Sequence, residues 1–380
     1  MERKTCSGRD LLSGDAITIT FDRTILSVTP CDVCEDLWLA PGFIDLQVNG
    51  FAGVDYNDPH ATHEEIARSL RAQFATGVSR LLPTVITGPP DAMAACLRNL
   101  SAAADAVPCG EAIEGFHVEG PHIASEDGPR GAHPREWVRA PDFDEFLRWQ
   151  DAARGRVRMV TLSPEWPDAV RYIERITAAG VVASIGHTAA SATQIADAVR
   201  AGATMSTHLG NGAHQRLRRH PNYIWEQLAE DRLMAGFIVD GIHLGPAFLK
   251  AALRAKGIAR SVLVTDASTP AGAAPGRYFL GEQPVDLTAD GRVVLAGTDR
   301  LAGSALDMAT GVANLVRLAG LSLVDAVQMA TINPAIAVRI EGRTRGIVPG
   351  ERADLTAFRY APGGPLEIAA TFIGGSAAPL

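Results

Sequence analysis

The sequence predicts an α/β protein: a (β/α)8 TIM barrel carrying a small β-sandwich domain built from both chain termini. Three observations lead there. From about residue 41, eight short apolar runs alternate with helix-like stretches over roughly 230 residues. Four of the runs end on a carboxylate or an imidazole, where such a barrel places its chemistry. Strand-like alternation flanks the barrel at both ends, in ITITFDRTILSVTP and in GIVPGERADLTAFRY followed by IAATFIGG.

The eight barrel strands are expected at 43–49, 78–86, 112–119, 157–162, 181–187, 203–208, 234–240 and 261–266. Their near-continuous apolar character suits parallel strands covered on both faces. Helices fall between most of them. In THEEIARSLRAQFATG, Thr62 caps, Glu65 completes a capping box, and Ile66, Leu70 and Phe74 form one face. In PDAVRYIERITAAG the face is Val170, Ile173 and Ile176, with Gly180 as the stop. SATQIADAVRAGA starts at Ser191 and ends near Gly202. Residues 1–40 with 346–380 are expected to form the small β domain around a barrel at 41–345. The helices of SALDMATGVANLVRLAG and SLVDAVQMATINPAIAV join barrel to tail.

With 380 residues and 47% hydrophobic content the chain can bury one large core. A net charge of −8 argues against a nucleic-acid binder held by phosphate contacts, but leaves room for a phosphorylated small molecule. Five scattered cysteines do not form a disulfide framework. Cys31 and Cys34 make a lone C-x-x-C, read as incidental thiols or as a zinc or redox pair. The N-terminus MERKTCSGRDLLSGD lacks the apolar core of a signal peptide, and no apolar stretch is long enough to cross a membrane. A cytoplasmic protein is expected.

The four strand-end residues are Glu119 in AIEGFHVEG, His187 in VVASIGH, His208 in TMSTHL and Asp266 in SVLVTD. A carboxylate or imidazole at the end of a buried strand is costly without a partner, so four of them suggest one shared site. Two histidines, a glutamate and an aspartate are the residue types of a hydrolytic metal and its proton shuttle. The plainer alternative makes each a hydrogen-bonded structural residue, with Asp266 capping the loop after the eighth strand.

These residues lie in motifs that resemble a known family. PGFIDLQVNGFAGVDYND, FHVEGPH, GPRGAH, IGHT, THLGN, VDGIHL, LVTDASTPAG and LAGSALDM are similar, in order, to those of the N-acetylglucosamine-6-phosphate deacetylases of the amidohydrolase superfamily. Many amidohydrolases carry H-x-H at the end of the first strand for a second metal; here that stretch reads Gln47-Val48-Asn49, and amides are weak ligands. The resemblance therefore implies one divalent ion per chain, held by Glu119, His187 and His208 with water in the open position. Zn²⁺ is the first expectation, with Fe²⁺, Co²⁺ and Mn²⁺ open. It implies that Asp266 takes the proton of the attacking metal-bound water and passes it to the departing amine. It places His133 near the substrate carbonyl and His243 on a sugar phosphate, and it implies a homodimer. His133 otherwise reads as a solvated loop histidine. Gln47 and Asn49 either bind substrate or bond only loop backbone. His122 and Asp240 are given no role.

One segment departs from the family. Where H-L-[FY]-N-A-M and a G-R-E-P-G-like stretch are usual, the chain reads THLGNGAHQRLRRHPNYIWEQL. Asn211 and Gly212 can still offer backbone amides. In the family the arginine of that G-R-E-P-G-like stretch clamps the phosphate across a dimer interface, so the resemblance implies that either Arg218 or Arg219 takes over the clamp from such an interface, or phosphate is no longer the handle and the arginines are a solvated loop. Tyr223 and Trp225 stack on substrate, or fill core or an interface. The expected function is hydrolysis of N-acetylglucosamine 6-phosphate. The alternatives are an unphosphorylated N-acyl amino sugar or other N-acyl small molecule, and a non-catalytic sugar-binding barrel.

Overall fold

The computed structural model describes residues 3–32 and 36–379. Eight parallel strands follow one another around a barrel: Phe43–Val48, Val78–Ile86, Phe116–Glu119, Val157–Leu162, Val182–Ile185, Met205–Ser206, Met234–Ile238 and Ser261–Val264. Hydrogen bonds bring the first and eighth strands together, from Asp266 N to Gln47 O at 2.9 Å and from Asn49 N to Ala267 O at 2.6 Å. The strands are those expected: Val78–Ile86 and Val157–Leu162 to the residue, the other six shorter. Apolar side chains fill the floor of the barrel, among them Ile44, Leu46, Met159, Met205 and Val262. Above them lies a polar layer in which His117 Nε2 meets Thr161 Oγ1 at 2.7 Å and Thr207 Oγ1 meets both Thr161 and Ser184 hydroxyls at 2.6 Å. The metal-ligating residue types sit over that layer.

Helices His63–Phe74 and Ala192–Arg200 both begin with complete capping boxes, Thr62 with Glu65 and Ser191 with Gln194. Ile66, Leu70 and Phe74 are buried as expected. In the helix Ala169–Ala178 the buried face is Ala169, Tyr172, Ile173 and Ile176, while Val170 is exposed. Tyr172 takes the place in the buried face that Val170 does not fill, and packs edge-on against His122.

The terminal strands form one seven-stranded sheet, in which Lys4–Asp10, Ala16–Phe21, Ile25–Pro30 and Trp38–Pro41 join Leu355–Tyr360, Leu366–Ile373 and Ser376–Ala377. The sheet curls back on itself. Ile25 N bonds Glu351 O at 2.8 Å. Phe21 and Phe372, from strands well apart in the sheet, pack edge-to-face with centroids 5.3 Å apart. The sandwich is thus two halves of a single sheet around one apolar cluster. It is locked to the barrel by a buried ionic knot: Asp354 accepts from Arg80 Nε and Nη2 and from Arg343 Nη1, each at 2.8 Å.

Between the eighth strand and the helix Met308–Asn314 lies a three-stranded antiparallel sheet, Gly276–Leu280, Gln283–Leu287 and Val293–Leu295, which the sequence reading missed. It packs beside the barrel mouth through Leu280, Val285 and Val293. Its first turn is tied down where Gly281 N donates to Asp55 Oδ2 at 2.6 Å. Cys34 lies outside the described residues, so the C-x-x-C reading has no structural counterpart. No helix among the described residues is long and apolar enough to cross a membrane.

Candidate metal centre and active-site cavity

Glu119 ends the third strand, whereas His187, His208 and Asp266 each stand two residues beyond the end of theirs. Those three share an uncommon left-handed backbone, with φ of 49°, 24° and 49°. None is glycine, so each conformation carries strain, which the surrounding barrel holds in place. All four residues are brought together at one end of the barrel. They line a cavity of about 580 Å³.

Three donor atoms form a tight triangle. His208 Nε2 lies 2.9 Å from Glu119 Oε1, His187 Nε2 lies 3.4 Å from the same oxygen, and the two Nε2 atoms are 3.1 Å apart. Tetrahedral coordination with bonds of about 2.0–2.1 Å places ligand atoms about 3.3 Å apart, so the triangle has the size of one tetrahedral face. His187 Nδ1 donates to Pro129 O at 2.8 Å, which leaves a lone pair on Nε2. The ring is flanked by Gly131 and Gly212, where a Cβ would come within 3.0 Å of Cε1 and 2.7 Å of Nδ1 respectively. Among the described residues His208 Nδ1 is buried without a partner. Burial opposes ionisation of Glu119, but the adjoining imidazoles of His187 and His208 outweigh it and hold the carboxyl well below its usual range. The donor set therefore fits a divalent cation.

His133 stands beside this triangle. Its ligand atom, with those of Glu119 and His187, falls within 4.8 Å, and it is buried rather than solvated. Its Nδ1 meets Thr87 Oγ1 at 2.8 Å, and burial followed by the neighbouring His187 pushes its pKa down to about 3. It is a neutral imidazole.

Asp266 Oδ1 accepts from Asn49 Nδ2 at 2.8 Å and from Gln47 Nε2 at 3.0 Å. Gln47 Nε2 also donates to Glu119 Oε1 at 2.9 Å. The two amides thus hold the carboxylates; Asn49 lines the cavity, and Gln47 lies behind it. Burial first, then the charge on Glu119, raises the Asp266 pKa to about 6. Its Oδ2 has no hydrogen-bond partner among the described residues.

Asn211, Gly212 and His243 line the same cavity. His243 Nδ1 is held by Asp240 Oδ2 at 2.6 Å, so Asp240, given no role from sequence, fixes the imidazole. Arg218 and Arg219 are not brought to this cavity. They are exposed, and Asn222 Nδ2 takes both of their backbone carbonyls, at 3.0 and 3.3 Å. Asn222 is the cap of helix Tyr223–Ala229, so the arginine run precedes a helix that starts off the cavity wall. Tyr223 is buried, with its hydroxyl 3.0 Å from His214 Nδ1, and Trp225 is half exposed. The arginines that line the cavity are Arg292 and Arg300, which the sequence reading overlooked together with the sheet that presents Arg292.

The sequence profile of the Amidohydrolase family matches residues 38–377. The chain belongs to the amidohydrolase family. This amidohydrolase is similar to the N-acetylglucosamine-6-phosphate deacetylase of Bos taurus, at 36% identity over 354 residues covering 90% of this chain and 83% of the relative. It is equally similar, 36% over 323 residues, to an N-acetylgalactosamine-6-phosphate deacetylase of Shewanella sp. (strain ANA-3), covering 83% and 78%. Among solved structures, an N-acetyl-D-glucosamine-6-phosphate deacetylase variant from Mycobacterium smegmatis in complex with N-acetyl-D-glucosamine-6-phosphate superposes with a TM-score of 0.89. It has 29% identity and covers 100% of both chains.

Proposed function

We propose that this chain is a metal-dependent deacetylase that hydrolyses N-acetylglucosamine 6-phosphate to glucosamine 6-phosphate and acetate. The observation that carries the reading is the convergence of Glu119, His187 and His208 beside Asp266 in one cavity of a chain similar to such enzymes. Glu119 Oε1 and the Nε2 atoms of His187 and His208 would hold a single divalent ion, Zn²⁺ by choice of donors. When bound, that ion polarises the acyl carbonyl and acidifies a water.

This chain's own residues do the rest. Asp266 Oδ2, the oxygen left free by Asn49 and Gln47, takes the proton of the attacking water. It then delivers that proton to the amine nitrogen, which cannot leave well unprotonated. His133 Nδ1 and Thr87 Oγ1 share a hydrogen bond; in the tautomer where Thr87 is the donor, the His133 proton is on Nε2, where it can donate to the oxyanion that develops on the acyl carbonyl. Gln47 and Asn49 set the carboxylates, and in this reading they replace a second metal. Asn211, Gly212 and His243 position the sugar.

The same reading takes residues 1–40 with 346–380 as a β domain supporting a catalytic barrel at 41–345, in a cytoplasmic homodimer. The experiment is acetate release by metal-loaded protein from N-acetylglucosamine 6-phosphate, its galacto epimer and unphosphorylated N-acetylglucosamine. Hydrolysis of the gluco phosphate is the expected result; turnover of another N-acyl compound alone would replace the substrate assignment.

A further inference from the structure

We propose that Arg292 and Arg300, on the wall supplied by the three-stranded sheet and its return to the barrel, form the anion subsite that reads the substrate's phosphate. This rests on the deacetylase reading and adds to it the element that selects a phosphorylated sugar.

Both guanidinium-bearing residues line the cavity that holds Glu119, His187, His208 and Asp266. Arg292 comes from the start of the strand region Val293–Leu295, after the turn in which Arg292 N bonds Thr288 Oγ1 at 3.1 Å. Among the described residues its guanidinium makes no hydrogen bond and no close ion pair, although, after the hydrogen bond from Thr288, its charge helps to lower the pKa of nearby Asp290. Arg300 follows the same strand, and its Nη1 donates to Gly131 O at 3.3 Å. Gly131 is the residue packed against the His187 ring, so Arg300 is anchored beside the metal-ligating end of the cavity while retaining further N–H donors.

Many arginines elsewhere in this chain are matched to carboxylates, for example Arg277 with Asp286 at 2.8 Å on the neighbouring strands of the same sheet. Arg292 and Arg300 are not, although the chain as a whole is acidic at −8. Two unmatched guanidinium groups on the wall of one cavity, in an acidic protein, are a receptor for a dianion. A planar fork suits phosphate oxygens, and charge-assisted hydrogen bonds are the strong kind. Asp299 is the one carboxylate on that wall and it pairs with neither arginine. It opposes an incoming phosphate, and its neutralisation should tighten binding. Arg218, by contrast, lines a separate cavity of about 400 Å³.

The test compares kcat/KM on N-acetylglucosamine 6-phosphate and on N-acetylglucosamine for the metal-loaded wild type, Arg292→Ala/Arg300→Ala, Asp299→Asn and Arg218→Ala/Arg219→Ala. Calorimetric binding of glucosamine 6-phosphate is a readout independent of turnover. The expected result for the Arg292/Arg300 variant is a fall of about 100-fold on the phosphorylated sugar, expressed in KM, with the unphosphorylated sugar unchanged. Product binding weakens in parallel, and Arg292→Lys/Arg300→Lys restores part of it. Asp299→Asn shifts both readouts the other way.

An equal fall on both sugars would mark a structural role and overturn the proposal. So would an unaltered variant, or loss seen only in the Arg218/Arg219 variant. If the wild type cleaves both sugars equally well, the anion subsite falls and the deacetylase reading stands. If it cleaves neither, the deacetylase reading itself falls.

Discussion

His187 Nε2 and His208 Nε2 stand 3.1 Å apart, and the Pro129 carbonyl has already claimed the Nδ1 proton of His187. Two facing lone pairs at that distance need either a proton or a cation between them. In the structure burial disfavours charge on His208, but its hydrogen bond to Glu119 wins and raises the pKa, which favours a proton in that gap. Metal uptake must expel it. Zinc titration of metal-free protein in buffers of differing ionisation enthalpy should therefore report proton release, reduced in His208→Ala. Uptake without proton release would show that the site binds metal by other groups.

Asp266→Asn keeps the side-chain shape and the acceptor for Asn49 and Gln47, but removes the proton acceptor. Bound metal per chain is expected to stay at the wild-type level while acetate release drops by about 10²–10⁴-fold. Unchanged turnover would remove Asp266 from the chemistry; loss of metal along with turnover would make it a ligand.

Asp45 lies at the barrel wall beneath the site, where burial, only partly offset by hydrogen bonds from Thr265 and Gln47, lifts its pKa to about 7. A carboxyl raised in the folded state is a liability when ionised. Its contribution is harmless below about pH 4, where the unfolded chain also binds the proton, and it is lost from stability as pH rises through about 7. Asp45→Asn should thus be more stable than wild type at pH 8, by up to a few kcal/mol, with the gap closing toward pH 4. Urea melts across pH test this; a gap that widens toward acid would reverse the sign.

Asp354 is fully buried and answers both Arg80 and Arg343. Burial raises its pKa, but the two guanidinium groups outweigh that and hold the carboxyl well below its usual range. Asp354→Ala strands two buried cations between the terminal sheet and the barrel, at a cost of about 3–5 kcal/mol in denaturant unfolding. A loss under about 1 kcal/mol would show that water enters and solvates the arginines.

Much of the barrel was legible because each strand is an apolar run bounded by glycine or a capping residue, and because an ionisable side chain at such an end is costly unless a partner or an ion meets it. Glu119, His187, His208 and Asp266 were found that way, and the structure gathers them. The left-handed backbone at three of them left no trace in residue type. The roles of Gln47 and Asn49 were open since an amide can bind substrate, backbone or a carboxylate, and only the fold decides. Arg218 and Arg219 lie off this chain's own cavity, and a charge run in the sequence carries no information about whether it faces a cavity, solvent or a second copy. Arg292 and Arg300 escaped notice because RYFLGEQPVDLT and GRVVL form a mostly exposed sheet, whose weak apolar alternation resembles a loop. Glycine at 281 and at 291, both with positive φ, was the turn signal that could have revealed it.

The most direct measurement is a metal titration of chelator-treated protein, following acetate release from N-acetylglucosamine 6-phosphate against metal bound per chain. One ion held by Glu119, His187 and His208, with Gln47 and Asn49 in place of a second site, predicts a linear rise that breaks at one equivalent and then stays flat. Full activity without metal, or a break at two equivalents, would contradict the single-metal site.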